Sequence, residues 1–296
     1  MRVKRIVPPA AAPIRLKDLL HGLSGLFESR RYIEKLKSEI REHFGVRHVF
    51  FVSSGKAAMT LILAALKSMS YKRRVIIPAY TCFSVPSAIM KAGLKIVLCD
   101  IDPVTFDFDY DCLKKVVTQD TLCVIPHHLF GIPSDMDRLV TICKEKGILV
   151  IEDAAQAMGG QYKGRLLGMI GDAGFFSLSR GKNITCAAGG IIVTNSDRIA
   201  DSIAKHYLNL EEPGIAEILK EFIQCFLISA FIHPALYWFP AGMPFLRLGE
   251  TIFYKDFSLK KLSGMKAALC RAGGPVWLNP TRLALKPRPI LLTVFS

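Results

Sequence analysis

The sequence predicts an α/β fold, a mostly parallel sheet with helices on both of its faces. Short apolar runs rich in Val, Ile and Leu recur through residues 1–205, and helix-like segments separate them. Continuous apolar strands joined by helices are typical of parallel sheets that are covered on both sides. The chain has 296 residues, of which 51% are hydrophobic, and this suffices for one large domain and a smaller one.

Seven strands and four helices are predicted in chain order. The strand-like runs are 48–55, 74–80, 95–102, 121–131, 148–157, 174–179 and 189–195. The helix-like segments are 56–69, 84–93, 109–117 and 134–147. The first of these segments has the apolar spacing of a buried helix, and the last has Ser134 as its expected N-cap and Gly147 as its stop. We expect residues 1–205 to form an N-terminal arm and a large domain. The alternation of strands and helices stops after residue 205, and we expect residues 206–296 to form a second unit.

Composition narrows the choice of partners and of cellular compartment. The net charge of +14 suits an anionic substrate, a nucleic acid or an anionic membrane face. No zinc-finger spacing or aromatic RNA-binding pattern is present, so a nucleic-acid partner is not expected. The eight cysteines form no CxxC pair, which favours free thiols in a reducing cytoplasm over a disulfide or zinc framework. The basic N-terminus has a short apolar stretch with three prolines, which makes a poor signal peptide.

A carboxylate and a lysine follow two of the predicted strands, where ligands bind in parallel sheets. Asp153 ends the most apolar run, and a buried carboxylate there needs a partner. It either caps the following segment or accepts a hydrogen bond from a cationic ring nitrogen, as pyridoxal phosphate (PLP) requires. Lys182 is either a solvated loop lysine or an amine that binds PLP as a Schiff base.

Hydroxyl and glycine residues near these positions are candidates for binding a phosphate group. Ser177 and Ser179 either donate hydrogen bonds to a phosphate or cap the end of their strand. The segment SSGKAA at 53–58 joins a strand to a helix, and its backbone N–H groups are suited to an anion. The glycine turn alone does not distinguish a phosphate site from an ordinary helix start.

Three blocks of sequence resemble one enzyme family. The most specific of them is VIEDAAQAMGGQYKGRLLGMIGDAGFFSLSRGKN, at 150–183. The others are VIIPAYTCFSVPSAIMKAGLKIVLCDID at 75–102 and HHLFGIPSDMD at 127–137. Together they resemble the DegT/DnrJ/EryC1/StrS family of PLP-dependent sugar aminotransferases, and the resemblance covers roughly residues 30–205.

The resemblance implies a fold, a cofactor and a set of site residues. The fold would be PLP-dependent transferase fold type I, with a seven-stranded-type sheet, in a homodimer whose active site lies near the subunit interface. Glutamate would donate the amino group and a nucleotide-linked keto sugar would accept it. Lys182 would bind PLP covalently, Asp153 would pair with the ring nitrogen, and Gln156 would contact the ring hydroxyl. The implied catalytic pair is Lys182 and Asp153, and the implied cofactor-binding set is Ser54, Gly55, Lys56, Tyr80, Phe83, Asp153, Gln156, Ser177, Ser179 and Lys182; no metal is expected.

Several positions depart from the family pattern. Lys56 replaces the hydroxyl residue that usually follows the phosphate-turn glycine, which adds a charge close to the phosphate. Cys82 occupies the place of the aromatic residue that stacks on the cofactor, so Tyr80 or Phe83 is expected to supply a ring instead. The segment AAGG at 187–190 lacks the glutamate usual in the family.

The C-terminal third departs most, and we expect its small domain to be atypical or truncated. Residues 222–246 carry no Asp, Glu, Lys or Arg and are long enough to span a bilayer, but Pro234, Pro240 and Pro244 argue against a simple spanning helix. We expect this segment to pack on the protein or to lie on the surface of the inner membrane. The composition shifts after residue 269, and one hypothesis is that the reading frame changes there.

The sequence is compatible with three candidate functions. The leading one is a cytoplasmic sugar aminotransferase for amino-sugar or polysaccharide biosynthesis. A sugar dehydratase of the same fold is disfavoured, because related dehydratases carry histidine in place of the lysine that is Lys182 here. The third is a truncated or inactive PLP-fold protein, either membrane-associated or regulatory, which the Cys82 departure favours.

Overall fold

The computed structural model of the chain describes residues 14–233, 236–243, 253–254 and 256–271. Its helices are α1 (Leu16–Phe27), α2 (Ser29–Phe44), α3 (Gly55–Ser68), α4 (Ser84–Lys91), α5 (Tyr110–Val116), α6 (Met136–Glu145), α7 (Asp197–Leu208), α8 (Ile215–Phe231), α9 (Trp238–Ala241) and α10 (Gly264–Arg271). Its strands are β1 (His48–Val52), β2 (Arg74–Pro78), β3 (Lys95–Cys99), β4 (Thr121–Val124), β5 (Leu149–Asp153), β6 (Gln161–Tyr162), β7 (Arg165–Leu166), β8 (Ala173–Ser177) and β9 (Gly190–Thr194). A short 3₁₀ turn spans Leu129–Gly131.

A seven-stranded sheet is the centre of the molecule, in the order β1-β9-β8-β5-β4-β2-β3. The pairs β2–β3, β2–β4, β4–β5 and β5–β8 are parallel. Strand β9 is antiparallel to both of its neighbours, β1 and β8. The predicted mostly parallel, seven-stranded sheet is therefore confirmed, with β9 as the strand that runs in the opposite direction.

The side chains of the strands alternate between two apolar layers, as a sheet covered on both faces requires. Phe175 packs with the layer that contains α3 and α7, whereas its neighbour Phe176 packs on the opposite face with α2 and α10. Ile76 likewise faces α5 and α6, while Val75 and Ile77 face α3. The predicted helices on both faces are confirmed by this alternation.

Each predicted strand run overlaps one observed strand, but one helix cap was predicted wrongly. Ser134 is not the N-cap of α6, because its hydroxyl donates a hydrogen bond to the His127 carbonyl at 3.1 Å. Asp135 takes that role, and its Oδ1 accepts from the Arg138 N–H at 3.2 Å. Gly147 adopts the left-handed conformation, with φ of 60°, just beyond the end of α6, as the sequence predicted.

The C-terminal part of the described chain packs back onto its N-terminal part. The Ser53 N–H donates to the Lys260 carbonyl at 2.9 Å, and the Leu262 N–H donates to the Phe51 carbonyl at 3.3 Å. Helix α10 then lies buried against α1 and α2. The predicted boundary between residues 205 and 206 falls inside α7, and the division into two domains stays a prediction. The hypothesis of a reading-frame change after residue 269 concerns mainly residues 272–296, which lie outside the described residues, and it stays untested.

The apolar segment 222–246 is described up to residue 243, except for positions 234 and 235. It forms the second half of α8 and all of α9. Within the ranges that the structure describes, no helix combines the length and the apolar character needed to cross a membrane.

Candidate active site

An open cleft of about 370 Å³ lies at the carboxyl ends of the parallel strands. The segments that follow β1, β2, β4, β5 and β8 form its walls. The residues that line it are Ser54, Gly55, Lys56, Met59, Thr81, Cys82, Ser84, Val85, His127, His128, Leu129, Asp153, Ala155, Gln156, Phe175, Ser177, Ser179, Arg180 and Lys182. The structure thus brings together every predicted site residue except Tyr80 and Phe83.

One end of the cleft is formed by the first turn of α3, which has the features of an anion site. Ser54 is the N-cap of this 14-residue helix, and its Oγ accepts from the Ala57 N–H at 3.1 Å. The N–H groups of Gly55 and Lys56 have no acceptor in the part of the chain that the structure describes. A Cβ on Gly55 would lie 3.0 Å from the Ser177 Cβ, so the turn and the end of β8 adjoin closely. Two free N–H groups at a helix start, beside a hydroxyl, suit a phosphate.

The loop after β8 places a hydroxyl pair and the candidate lysine in the same wall. The Oγ atoms of Ser177 and Ser179 are 2.9 Å apart. The Lys182 N–H donates to the Ser179 carbonyl at 3.3 Å, which forms a turn that returns the lysine to the cleft. The side-chain amide of Asn183 donates to the Met158 carbonyl at 3.0 Å and ties this loop to the segment that follows β5.

Asp153 ends β5, is half-buried and lines the cleft. Its Oδ1 accepts from the Ala155 N–H at 3.1 Å, so the carboxylate does cap the following turn, as one of the two sequence interpretations expected. Burial raises the pKa of Asp153, whereas the Ala155 N–H and the positive potential of His127 and Lys182 act in the opposite direction. Burial is the largest of these effects, so the ionised carboxylate is less favoured than it would be in water.

Gln156 lies at the cleft margin, where its side-chain oxygen accepts from the Phe130 N–H at 3.3 Å. Phe130 has a positive φ of 57°, which turns its N–H toward the loop after β5. The amide group of Gln156 is thus held in place by the loop that follows β4.

His127 is a cleft residue that the site prediction did not include. It is only 7% exposed, and β4 and β5 bring it beside Asp153 as its direct partner on the adjacent strand. Its Nδ1 lies 3.4 Å from the Thr81 Oγ1. Burial lowers the pKa of His127, which favours the neutral ring, while the nearby Asp153 carboxylate opposes that shift. Its position after an apolar run already placed it at a strand end, but its contact with Asp153 depends on the pairing of β4 with β5.

The two candidates for the ring partner lie away from the cleft lining. Tyr80 and Phe83 are 55% and 53% exposed. The Tyr80 ring is 6.2 Å from the Phe106 ring, and Phe83 immediately precedes α4. Cys82, between them, does line the cleft. The backbone of this loop therefore directs the thiol inward and both aromatic rings outward.

Two basic residues besides Lys182 line the cleft, namely Lys56 and Arg180. Burial lowers the pKa of Lys56, an effect that Cys82 opposes. The Lys56 Nζ lies 4.5 Å from the centre of the Phe257 ring and 5.6 Å from that of Tyr254. The C-terminal segment therefore reaches the rim of the cleft and holds Lys56 by cation–π contacts.

A buried acid–base pair supports the floor behind Asp153. Glu152 is fully buried, and its Oε2 lies 3.0 Å from the Nε2 of His128. The Nδ1 of His128 accepts from the Ser134 N–H, so its Nε2 carries the hydrogen and donates to Glu152. The same carboxylate accepts from the N–H groups of Gly168, Ile170 and Gly171 at 2.8, 2.5 and 2.6 Å. This network fixes β5 to the loop that precedes β8.

No group of three or more His, Cys, Asp or Glu side chains within the described ranges is arranged to hold a metal ion. All eight cysteines are free thiols.

The sheet order and the helices on both faces are those of the α/β fold known as PLP-dependent transferase fold type I. The aminotransferase from Psychrobacter cryohalolentis superposes on it with a TM-score of 0.68 at 22% identity, over 89% of this chain and 62% of that chain. The chain belongs to the DegT/DnrJ/EryC1/StrS aminotransferase family, whose sequence model matches residues 17–223.

Two curated relatives illustrate the range of names in this family. A pleiotropic regulatory protein of Geobacillus stearothermophilus is 37% identical over 171 residues, which are 57% of this chain and 46% of the relative. A GDP-perosamine synthase of Caulobacter vibrioides is 35% identical over 170 residues, again 57% of this chain and 46% of the relative. The matches thus span about half the length of these curated relatives.

Proposed function

We propose that this protein is a PLP-dependent aminotransferase that moves an amino group from glutamate to a nucleotide-linked keto sugar. The observation that carries the proposal is the single cleft lined by Lys182, Asp153 and the start of α3. Membership of an aminotransferase family supports amino transfer. The GDP-perosamine synthases among its relatives support a nucleotide sugar as acceptor, and hence a role in amino-sugar or polysaccharide biosynthesis.

The residues of the cleft fit PLP at both ends of the cofactor. The free N–H groups of Gly55 and Lys56, together with the Ser177 hydroxyl, suit its phosphate. The ionised form of Asp153, which burial disfavours, would be stabilised by a protonated ring nitrogen. Gln156 would bind the ring hydroxyl.

PLP, when bound, supplies an electron sink for bond changes at the α carbon of the amino acid. Lys182 would hold the cofactor covalently through Nζ. When it is not bonded to the cofactor, the Nζ amine would act as general base and then as general acid for the proton on the α carbon of glutamate, and it would serve the keto sugar in the reverse order. Asp153 would keep its ring-nitrogen partner protonated, and the buried ring of His127 would exclude water from that contact.

The basic residues of the cleft would bind the anionic groups of both substrates. Arg180 is exposed at the cleft wall, where its guanidinium is suited to a carboxylate or a diphosphate. Lys56 lies beside the free N–H groups of α3 and would add a charge at the phosphate. Removing either cation should weaken substrate or cofactor binding more than it slows proton transfer by Lys182.

A homodimer is part of the proposal, because the family resemblance implies an active site near a subunit interface. Light scattering on the purified chain would measure its oligomeric state. A monomer that binds PLP and turns over would contradict this part alone.

Glutamate alone tests the first half of the reaction. The PLP-loaded chain should convert glutamate to 2-oxoglutarate in an amount equal to the enzyme, with a matching change in the cofactor absorbance. A panel of nucleotide keto sugars should then restore the original spectrum, and the sugar that does so identifies the acceptor. An inert spectrum on addition of glutamate, in a chain that retains bound PLP, would reject the aminotransferase.

A second candidate is a PLP-fold protein that binds the cofactor without turnover. Cys82 favours it, because a thiol lines the cleft while Tyr80 and Phe83 lie outside. The same glutamate experiment separates the two candidates. Substitution of Cys82 by Phe should raise the glutamate half-reaction rate if a missing stacking ring is what limits activity.

A further inference from the structure

Helix α8 is apolar on two faces, only one of which is covered by protein. Cys225 is fully buried, and Phe222 and Ile228 pack against the core on the inner face. A contiguous exposed apolar patch on a protein surface marks a site for a protein or membrane partner. The outward face of α8 is such a patch.

The outward face carries a continuous row of exposed apolar side chains. Ile215, Leu219, Ile223, Phe226 and Leu227 are between 47% and 88% exposed. Their spacing places them on one side of the helix, in a stripe about 18 Å long. We call these five residues the α8 stripe.

Two neighbouring elements extend the apolar surface at the C-terminal end of the stripe. The Ser229 hydroxyl donates to the Ile14 carbonyl at 2.7 Å, which places the start of α1 there, with Leu16 and Leu20 63% and 62% exposed. Helix α9 follows, and its Phe239 ring stacks on the Phe231 ring at 5.8 Å.

The charges around this surface are positive. Arg15, Lys17 and Lys220 are exposed and form no ion pair with the described residues. Both acids of α8 are paired with lysines of the C-terminal segment, since Glu217 lies 2.7 Å from Lys260 and Glu221 lies 2.5 Å from Lys266. An apolar stripe bordered by unpaired cations is complementary to a surface that is apolar inside and negative at its edge.

We propose that the α8 stripe, with the start of α1 and with α9, rests on the surface of an anionic phospholipid bilayer. The apolar side chains would enter the boundary between headgroups and acyl chains, and Arg15, Lys17 and Lys220 would contact lipid phosphates. Trp238, at the start of α9, is of the residue type enriched at that boundary. This inference stands independently of the catalytic proposal.

A second copy of the chain suits this surface less well than a bilayer does. A two-fold interface would place the same patch of each copy against the other. Arg15, Lys17 and Lys220 of both copies would then lie in one interface, where the nearby Glu217 is already paired with Lys260. Like charges held in one interface disfavour association.

Vesicle flotation with the full chain tests the proposal. The protein should float with vesicles of equal parts phosphatidylcholine and phosphatidylglycerol, and much less with phosphatidylcholine alone. Replacing Ile223 and Phe226 by Gln should lower the partition coefficient at least about tenfold, because both side chains would lose their lipid burial. Leu208→Gln, which changes a 76% exposed leucine on α7, is the matched control and should leave flotation unchanged.

A second pair of variants tests the exposed cations beside the α8 stripe. Lys220→Gln should lower binding to the anionic vesicles about fivefold, and added salt should remove the difference. Lys144→Gln changes an exposed lysine on α6 and should have no effect. Wild-type protein that stays unbound at low salt, or stripe variants that float as well as wild type, would overturn the proposal. A stripe variant that only converts a larger assembly into a smaller one would show that the partner is a second copy.

Discussion

Two glycines on α1 provide a sharp test of how the C-terminal helix completes the fold. Gly25 and Gly22 lie one turn apart and both face α10. A Cβ on Gly25 would lie 2.2 Å from the Gly264 carbonyl oxygen and 2.8 Å from the Ala268 Cβ. A Cβ on Gly22 would lie 3.6 Å from its nearest neighbours, which is ordinary contact.

Substituting each glycine by Ala gives opposite expectations. Both changes gain about 0.5–1 kcal/mol of helix propensity, because alanine loses less backbone entropy than glycine. Gly25→Ala also forces α10 away from α1, since its closest contact is with backbone, and overpacking of this kind costs about 1–3 kcal/mol. The difference between the two variants is therefore about 1–3 kcal/mol, in favour of Gly22→Ala.

Urea unfolding of both variants, followed by circular dichroism and compared with wild type, measures that difference. The midpoint for Gly22→Ala should rise slightly and that for Gly25→Ala should fall. Equal midpoints for the two variants would show that α10 does not lie against α1, and would refute the placement of residues 264–271.

Three further predictions concern the site and its support. Glu152→Gln should lower the free energy of unfolding by about 2–4 kcal/mol, because an amide cannot accept from all the N–H groups that the buried carboxylate satisfies; calorimetry measures the loss, and an unchanged transition would contradict the network. Burial raises the pKa of Asp172 above its unfolded value, so its contribution to stability is present in acid and is lost as the pH rises through the folded pKa. The Asp172→Asn variant should therefore gain stability relative to wild type as the pH rises above about 4. The Asp137→Asn variant should lose stability relative to wild type over the same rise, because the hydrogen bond from Lys163 lowers the pKa of Asp137. Unfolding free energies of the two variants that change in parallel with pH would refute the assignment. Gly55→Ala should weaken PLP binding at least about tenfold in equilibrium titrations, because its Cβ would press on Ser177 where the phosphate is expected, and unchanged affinity would argue against that phosphate site.

The sheet and most of the site were predictable because they depend on local patterns. Each apolar run became a strand, and the polar residues after the runs, such as Asp153 and Ser177, met at one edge because parallel strands end together. The inward or outward direction of a loop side chain does not follow from such a pattern. The sequence therefore predicted Tyr80 or Phe83 in the cleft, whereas the loop places Cys82 there.

Other features depend on contacts between distant parts of the chain. His127 reaches Asp153 only because β4 pairs with β5, and α10 meets α1 across more than two hundred residues of sequence. The N-cap of α6 was misplaced by one residue, because Ser134 and Asp135 are both good caps and the choice depends on a hydrogen bond to His127. Where two adjacent residues are both good caps, tertiary hydrogen bonds determine which of them caps the helix.

Covalent trapping tests the central claim most directly. The chain is incubated with PLP, reduced with borohydride, digested, and analysed by peptide mass spectrometry, with Lys182→Ala and Lys56→Ala as the paired variants. Phosphopyridoxyl modification should be confined to the peptide that contains Lys182, should persist in Lys56→Ala and should vanish in Lys182→Ala. Modification centred on Lys56, or equal labelling in the Lys182→Ala chain, would contradict the assignment of this cleft as a PLP site built around Lys182.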